Sequence, residues 1–207
     1  MELYEFPPTR SIRARWVLQE LGVPFDSHRT DLQAGDARQT DFLKLNPAAK
    51  IPVLVDGSNV VTESVAIVVY LAEKYPEKKL FPADVVGRSQ ANRWLLFTAT
   101  ELEQPLWRIA RHRFLYPEAD RIPADAELAK RDFREMVAVL EEHLQGRDYV
   151  VGEAFTVVDV VTAYTLDWAN EEDLLDRAPR CKAYMERMYE RPKAGMRIAP
   201  ALRSVGL

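Results

Sequence analysis

The hydrophobic periodicity of this chain changes once, close to Tyr75-Pro76, and this change constrains the fold more than any other feature. Before it, short β-branched and aromatic runs alternate with segments of helical spacing, whereas after Gly87 every long segment has helical periodicity. The polar, proline-containing stretch Glu77–Asp84 between the two parts is typical of an interdomain linker. We therefore predict an α/β domain over residues 1–78, followed by an all-α helical domain over residues 87–207.

The N-terminal part predicts strands and helices in the order β-α-β-α-β-β-α. The strands are expected at Glu2–Phe6, Ser27–Thr30, Val53–Val55 and Val60–Val61, and the helices at Ile12–Leu21, Asp41–Leu45 and Val65–Lys74. A helix between the first two strands makes that pair parallel, and the Asp56-Gly57 turn predicts an antiparallel hairpin at the edge. Further helices are expected over 87–115, 124–145, 157–170 and 179–190, followed by an irregular tail.

Composition and charge exclude several classes of function. The chain has 28 basic and 32 acidic residues, so its net charge of −4 gives no overall attraction to nucleic acid. The N-terminus does not read as a signal peptide, and the longest apolar runs are shorter than the ~20 residues that span a bilayer. A single cysteine, Cys181, and three separated histidines exclude an internal disulfide and argue against a metal site. We expect a soluble, cytoplasmic protein without nucleic-acid or membrane partners, in which Cys181 is a buried, small apolar residue.

The first candidate site surrounds Pro52, which stands at the start of a predicted strand. Proline cannot donate a hydrogen bond to the strand ladder, so the Ile51-Pro52 bond is a candidate cis peptide. Such a bond would expose the backbone N–H and C=O of Ile51, which suit an extended peptide ligand that pairs as a strand. The alternative is that Pro52 only begins an edge strand.

The second candidate site is Glu63-Ser64, directly before the helix at Val65. We predict Ser64 as the N-cap of this helix. A helix N-terminus carries free N–H groups and a partial positive charge, so it binds carboxylates, while Glu63 could hold a ligand ammonium. The alternative is a plain N-cap beside a solvated acid.

The third candidate site is Thr9-Arg10-Ser11, between the first strand and the first helix. We predict that Thr9 or Ser11 caps this helix. A thiolate placed here would gain a hydroxyl hydrogen bond and the favourable helix dipole, both of which lower a thiol pKa. The alternative is a helix cap and nothing more.

These three stretches, in this order and spacing, resemble those of cytosolic glutathione transferases of the bacterial type. Residues 9–25, 46–54 and 62–67 resemble the thioredoxin-like domain of that family, and the resemblance covers nearly the whole chain. Phe155–Asp159 resembles the family's buried capping box, with Thr156 as N-cap and Asp159 at N3. The resemblance implies a thioredoxin-like N-terminal domain, an all-helical C-terminal domain that contributes the electrophile pocket, and a homodimer.

The resemblance also implies how glutathione would be held. Ile51, beside a cis Pro52, would pair with the cysteinyl backbone of glutathione. Glu63 and Ser64 would hold the γ-glutamyl end, and Lys50 could approach the glycyl carboxylate.

The position that would stabilise the thiolate departs from the family pattern. Thr9 stands where many bacterial members carry a serine whose hydroxyl stabilises the sulfur. Threonine keeps the hydroxyl but adds a methyl group and restricts χ1. Arg10 and Ser11 therefore remain alternative groups for this role.

A basic, aromatic stretch follows the linker and contains Trp107, Arg108 and Arg111. Arg108 and Arg111 are three residues apart, so they share one helix face. In the family this helix lines the electrophile pocket, so the resemblance implies a pocket for an anionic or polar electrophile. The alternative is a solvated cationic face that pairs with nearby acids, namely Glu101, Glu103 and Glu118.

Together, these observations predict a glutathione transferase that conjugates or reduces an electrophilic small molecule. Glutathione would be the co-substrate, and no metal is required. One alternative is a non-catalytic binding or interaction protein of the same fold, which Thr9 in place of serine favours. Another is a glutathione-dependent isomerase of the maleylacetoacetate type, although the first turn lacks that subfamily's Ser-Ser-Cys stretch. A glutaredoxin-like reductase is disfavoured because no cysteine lies near this turn.

Overall fold

A four-stranded mixed sheet organises the N-terminal domain in this computed structural model, which describes residues 1–206. The strands are β1 (Glu2–Glu5), β2 (Asp26–Arg29), β3 (Val53–Asp56) and β4 (Asn59–Thr62), in the spatial order β2-β1-β3-β4. β1 and β2 are parallel, whereas the β1–β3 and β3–β4 pairs are antiparallel. The predicted parallel pair and edge hairpin are therefore confirmed. Gly57 in the hairpin turn has φ 62°, a left-handed conformation that favours glycine.

Three helices accompany this sheet: α1 (Ser11–Leu21), α2 (Thr40–Leu45) and α3 (Ser64–Lys74). The apolar residues of α1 and α3 recur at helical spacing, so each helix buries one stripe. The fully buried side chains of this core come from both helices and from the strands, and include Leu3, Val17, Leu18, Leu54, Ile67, Val68 and Leu71. Because these residues match the predicted periodicities, the α/β arrangement of this domain follows from the sequence.

The C-terminal domain is helical. Its helices are α4 (Val85–Phe97), α5 (Glu103–Ala110), α6 (Pro123–His143), α7 (Val157–Glu171) and α8 (Pro179–Tyr189). The single helix predicted over 87–115 is interrupted by π-helical turns at Thr98–Leu102 and Arg111–Leu115. Pro105 accounts for the first of these, because proline lacks an N–H and its ring clashes with the carbonyl group four residues earlier. None of the helices described within residues 1–206 is long and apolar enough to span a bilayer.

The predicted capping box is confirmed at the start of α7. The Thr156 hydroxyl accepts a hydrogen bond from the Val158 N–H at 3.2 Å, and the Asp159 carboxylate accepts one from the Thr156 N–H at 2.8 Å. Asp159 is fully buried and also accepts from the Tyr184 hydroxyl at 2.7 Å. The start of α7 is thus fixed within the C-terminal core.

The chain divides into two units by contact, one of residues 1–83 with the segment from Tyr189 onward, and one of residues 84–188. The tail therefore groups with the N-terminal unit, although the sequence analysis assigned it to the helical domain. Its aromatic ring at Tyr189 lies 4.9 Å from that of Trp16, and Arg191 forms two hydrogen bonds with Glu20, at 2.8 and 3.0 Å. The tail predicted to be irregular contains a short helix, α9 (Ile198–Ser204).

Cys181 is buried, as predicted. Burial raises the pKa of its thiol above the ordinary value, and the neighbouring Glu141 carboxylate acts in the same direction. A buried thiol of this kind is a poor nucleophile, so Cys181 belongs to the core of the helical domain.

Candidate functional site

The three N-terminal candidate segments share one end of the sheet. In the strand register, Tyr4 of β1 lies opposite Val53 of β3, and Val53 lies opposite Thr62 of β4. The C-terminal end of β1, the N-terminal end of β3 and the C-terminal end of β4 therefore lie at the same end of the sheet. This register brings together the turn after β1, the loop before β3 and the turn after β4.

The turn after β1 contains two hydroxyl groups in mutual contact. Thr9 Oγ1 and Ser11 Oγ are 2.6 Å apart, and Thr9 Oγ1 donates to the Phe6 carbonyl oxygen at 2.5 Å. Ser11 Oγ accepts from the Phe6 N–H at 3.3 Å. Because the Thr9 hydroxyl donates its proton to the Phe6 carbonyl oxygen, the Ser11 hydroxyl is the donor in the hydrogen bond between Ser11 and Thr9. The hydroxyls thus form a chain from Ser11 through Thr9 to Phe6.

The predicted helix cap in this turn is wrong. The N-cap of α1 is Arg10, without a side-chain cap hydrogen bond, and Ser11 is already the first helical residue. Thr9 Oγ1 instead accepts from the Ser11 N–H at 3.3 Å and is tied to Phe6 by its own proton. Thr9 is half-buried, whereas Ser11 is only 1% exposed. Thr9 is therefore the more accessible hydroxyl of the pair.

The loop before β3 has the predicted cis peptide bond between Ile51 and Pro52. The strand register begins at Val53, so the backbone groups of Ile51 lie outside the ladder. Asn46, a buried residue at the start of the 46–54 stretch, holds this loop. Its side chain donates to the Lys50 carbonyl oxygen at 2.8 Å and accepts from the Ala48 N–H at 3.1 Å.

Lys50 itself is exposed, and its ammonium has no carboxylate within ion-pair distance among residues 1–206. It stands directly before Ile51, whose backbone groups could pair with a peptide. This placement favours a ligand with a carboxylate near an extended backbone.

The turn after β4 differs from the prediction in its cap. The N-cap of α3 is Glu63, at φ 65° and ψ 117° and without a side-chain cap hydrogen bond, and Ser64 is the first helical residue. Non-glycine residues rarely adopt such a positive φ, and strain of this kind concentrates at functional sites. Glu63 is exposed, so its carboxylate is accessible, while Ser64 is buried.

Arg13 is the residue that sequence reasoning missed at this site. It is 1% exposed, and its Nη1 donates to the Ser64 Oγ at 3.1 Å, across 51 residues of chain. By accepting from a cation, the Ser64 hydroxyl keeps its own proton free to donate. The spacing could have indicated that Arg13 is buried, because it stands four residues before the buried Val17 and thus on the apolar stripe of α1.

The C-terminal candidates separate into two kinds. Arg108 is held by Asp125, at 2.6 Å between Nη2 and Oδ1, and by Asp132, rather than by the glutamates named above. The hydrogen bonds that Arg108 donates to these aspartates raise its pKa above the ordinary value. Trp107 packs edge-on against Trp168 with ring centroids 6.5 Å apart. The structure thus places Arg108 in a charge network and Trp107 against an aromatic neighbour.

Two cavities open on the helical unit. One has a volume of about 560 Å³ and is lined by both cations and acids, among them Arg113, Lys130 and Glu172. The other has a volume of about 320 Å³ and is lined by Arg108 together with Glu101, Asp132 and Glu135. Within residues 1–206, no group of three or more His, Cys, Asp or Glu side chains is arranged to hold a metal ion.

Comparisons with known proteins agree over the whole chain. The family profile "Glutathione S-transferase, N-terminal domain" matches residues 1–73, and "Glutathione S-transferase, C-terminal domain" matches residues 102–192. The chain is 31% identical to glutathione S-transferase D7 of Drosophila melanogaster, over 99% of this chain and 95% of that protein. It is 30% identical to glutathione S-transferase GstA of Escherichia coli O157:H7, over all of both chains.

Solved structures show the same fold. Ure2p in complex with glutathione superposes with a TM-score of 0.85 at 22% identity, covering 97% of each chain. The glutathione S-transferase from Xylella fastidiosa has a TM-score of 0.83 at 24% identity, covering 100% of this chain and 98% of its own.

Proposed function

Because this chain belongs to the glutathione S-transferase family, we propose that it conjugates or reduces an electrophilic small molecule through the activated thiolate of glutathione. One observation carries this proposal: a hydroxyl pair, the unpaired backbone of Ile51 and an uncapped helix N-terminus share one end of the sheet. A peptide thiol needs these three elements, since it must be held as a strand, anchored by its carboxylate and stabilised at its sulfur. The relative Ure2p was solved in complex with glutathione.

In the proposed complex, the tripeptide would lie along Ile51. Its cysteinyl backbone would bond the Ile51 N–H and C=O, beside the cis Pro52. The γ-glutamyl carboxylate would meet the N-terminus of α3 and the Ser64 hydroxyl, and the γ-glutamyl ammonium would meet Glu63. These contacts would orient the thiol before reaction, which lowers the entropic part of the barrier.

Arg13 would act in this complex as a positioning residue. Its hydrogen bond fixes the direction of the Ser64 hydroxyl, and its buried positive charge strengthens the attraction of a carboxylate at the α3 terminus. Lys50 would supply the charge for the glycyl carboxylate.

Thr9 is the proposed group that stabilises the thiolate. To do so, its hydroxyl must rotate from the Phe6 carbonyl oxygen toward the sulfur, while it still accepts a hydrogen bond from Ser11. A donor that is itself hydrogen-bonded is polarised and donates more strongly. Ser11 would then support Thr9 rather than replace it, and Arg10 at the start of α1 would add positive charge.

The remaining parts of the proposal concern the helical domain and the assembly. Trp107, Arg108 and Arg111 are proposed to belong to the electrophile pocket. A cytoplasmic homodimer is proposed from the family, and the exposed face of α4 supports it, because Val85, Val86 and Leu96 are 83%, 71% and 61% exposed.

The test is an ultraviolet titration of bound glutathione, in which thiolate absorbance is followed across neutral pH. We expect the bound thiol to titrate below the ~8.5 of a free thiol. Thr9→Val keeps the shape and removes the hydroxyl, so it should raise the pKa of the bound thiol by about one unit and lower kcat/KM about tenfold near pH 7. Thr9→Ser is the matched control and should retain the thiolate.

Each other result has a definite meaning. Retention of the thiolate in Thr9→Val would transfer the role to Ser11, Arg10 or the helix terminus, and Ser11→Ala would decide among them. Binding of glutathione without a thiolate in the wild type would favour a non-catalytic binding protein of the same fold. Absence of binding would overturn the enzyme proposal.

A further inference from the structure

The segment that follows α8 lies along one face of α1, within the compact unit that it shares with the N-terminal domain. Its contacts with α1 fall on Ile12, Trp16 and Glu20. These residues follow one another at intervals of four, so they lie on one face of the helix, from its first turn to its last. We refer to residues 189–197, which make these contacts, as the α1 clamp.

Glu20 holds the clamp at the C-terminal end of α1. Its carboxylate accepts two hydrogen bonds from Arg191, at 2.8 and 3.0 Å, and one from the Trp16 Nε1–H at 3.2 Å. The Glu20 side chain is only 9% exposed, so this two-point pair is better shielded from solvent than a surface ion pair. Lys193 donates a further hydrogen bond to the Glu20 carbonyl oxygen at 3.3 Å, at the helix end where the dipole favours a cation.

Gly195 places the other part of the clamp against the first turn of α1. A Cβ atom at this position would lie 3.0 Å from Ile12 Cγ2 and 3.2 Å from Trp16 Cβ, closer than ordinary van der Waals contact. The absence of a side chain therefore lets the backbone of the clamp approach the helix this closely. At the middle of α1, the Tyr189 ring packs against the fully buried Trp16 ring.

The contact at Ile12 lies between two residues of the candidate site. Ser11, on one side of it, is hydrogen-bonded to Thr9, and Arg13, on the other side, donates to Ser64 at the start of α3. The Ile12 N–H also donates to the Thr9 carbonyl oxygen at 3.1 Å, which closes the first turn of the helix. A shift of α1 would therefore move the hydroxyl pair and the Arg13 guanidinium together.

Resting on the glutathione site proposed above, we infer that Arg191 and Gly195 are positioning residues, which hold α1 so that Thr9 and Arg13 keep their places in that site. Arg191 holds the end of the helix through Glu20, and Gly195 holds its first turn by close packing. A hydrogen bond to a thiolate weakens with small errors in distance and direction. The loss of either clamp contact should therefore be measurable at the sulfur of bound glutathione.

The experiment measures the pKa of the bound thiol by ultraviolet titration and the dissociation constant of glutathione by calorimetry, at a temperature at which every variant is folded. We expect Arg191→Gln to raise the pKa of the bound thiol by about half a unit and to weaken binding about fivefold. Arg191→Lys should restore part of both, because it keeps the positive charge. Gly195→Ala keeps every side-chain hydrogen bond of the clamp and adds one methyl group, and it should change both quantities in the same direction as Arg191→Gln.

Two controls separate positioning from a general loss of stability and from direct binding. Lys74→Gln breaks the ion pair with Asp56, a half-buried pair of the same unit that does not involve α1, so it should lower stability and leave the bound thiol unchanged. In a Glu20→Gln background, Arg191→Gln should have little further effect, because the two residues act as one pair. An undiminished effect there, or an equal change of the bound thiol in Lys74→Gln, would overturn the inference.

Amide hydrogen exchange, followed by nuclear magnetic resonance without glutathione, separates this inference from the proposed function. The N–H groups of Ile12 and Arg13, which close the first turn of α1, should exchange faster in Arg191→Gln and Gly195→Ala than in the wild type. Faster exchange in the variants of a protein that binds no glutathione would support the hold of the clamp on α1 and overturn the transferase proposal. A bound thiolate with the same pKa and affinity in the wild type and in both variants would overturn the inference and leave the transferase proposal intact.

Discussion

Helices α3 and α7 both begin with a hydroxyl residue close to an acid, but their N-termini are completed in different ways. At α7, Thr156 caps the helix and Asp159 closes the capping box. At α3, the N-cap Glu63 makes no side-chain cap hydrogen bond, and the Ser64 hydroxyl is contacted by Arg13.

The polar groups at α7 are satisfied within the chain. Asp159 accepts hydrogen bonds from Thr156, from the Val150 N–H at 3.0 Å and from the Tyr184 hydroxyl. Burial raises the pKa of Asp159, and these hydrogen bonds oppose the rise because they favour the ionised form. The Thr156 hydroxyl and the Asp159 carboxylate are thus both engaged within the chain, which indicates that this terminus stabilises the fold.

The α3 terminus has the opposite character. Its first N–H groups lack a side-chain cap, and Glu63 is held at positive φ, a conformation that costs about 1–3 kcal/mol for such a residue. A helix terminus that is strained and uncapped, with a buried cation behind its first hydroxyl, is suited to binding a carboxylate. The comparison teaches that the completeness of the cap, rather than the presence of hydroxyl and acid residues, separates a structural terminus from the one proposed to bind a ligand.

The largest expected effect tests the structural terminus. Asp159→Ala leaves the buried donors of Val150, Thr156 and Tyr184 without their acceptor, so we expect it to lower the free energy of unfolding by about 3–5 kcal/mol. Thr156→Ala removes one cap bond and should cost about 1 kcal/mol. Denaturant unfolding followed by circular dichroism measures both, and a loss below about 1 kcal/mol for Asp159→Ala would contradict a structural role.

The next effect tests the binding terminus. Ser64→Ala removes the hydrogen bond proposed to hold the γ-glutamyl carboxylate and should weaken glutathione binding about tenfold. It also removes an acceptor of the buried Arg13 guanidinium, so we expect it to lower the free energy of unfolding by about 1 kcal/mol, less than Asp159→Ala does. Isothermal titration calorimetry measures the affinity, and Thr156→Ala is the crossed control, because it should lower stability and leave the affinity unchanged. If Ser64→Ala instead destabilised the protein and bound glutathione normally, the two termini would not differ in the way described here.

The fold was largely predictable because its signals are local. The Asp56-Gly57 turn between β-branched runs, the helical spacing after Gly87 and the Thr156-to-Asp159 spacing each act over a few residues, and the structure contains all of them. The two π-helical turns were not predicted, because the apolar spacing continues through both; the first arises next to Pro105, and nothing in the sequence marks the second.

The candidate site was predictable in its residues but not in their partners. The sequence identified Thr9 and Ser64 as candidate residues. It did not predict that Thr9 donates a hydrogen bond to the Phe6 carbonyl oxygen or that Ser64 accepts one from Arg13. Arg108 finds its acids 17 and 24 residues away, so helical spacing cannot identify them. Such choices depend on tertiary packing, which places groups of distant sequence within hydrogen-bond distance.

The smallest expected effect sharpens the comparison through pH. His143 Nε2 lies 2.8 Å from the Val150 carbonyl oxygen, and the N–H of Val150 donates to Asp159, so this histidine belongs to the network that closes the α7 terminus. Burial lowers the pKa of His143, and the hydrogen bond to Val150 acts in the opposite direction. The folded protein thus favours neutral His143 more strongly than the unfolded chain does.

This lowered pKa fixes the sign of the pH dependence. Below the unfolded value of about 6.5 the unfolded chain binds more protons, so the contribution of His143 to stability is complete above that pH and is lost as the pH falls through the lowered folded value. His143→Gln keeps an N–H donor for Val150 but does not titrate. Melting temperatures from pH 5 to 7.5 should therefore fall less steeply with acid in the variant than in the wild type. If melting temperature depended on pH equally in the variant and the wild type, the titration of His143 would not contribute to stability. A weaker dependence in the variant would show that protonation of His143 destabilises the network at the α7 terminus.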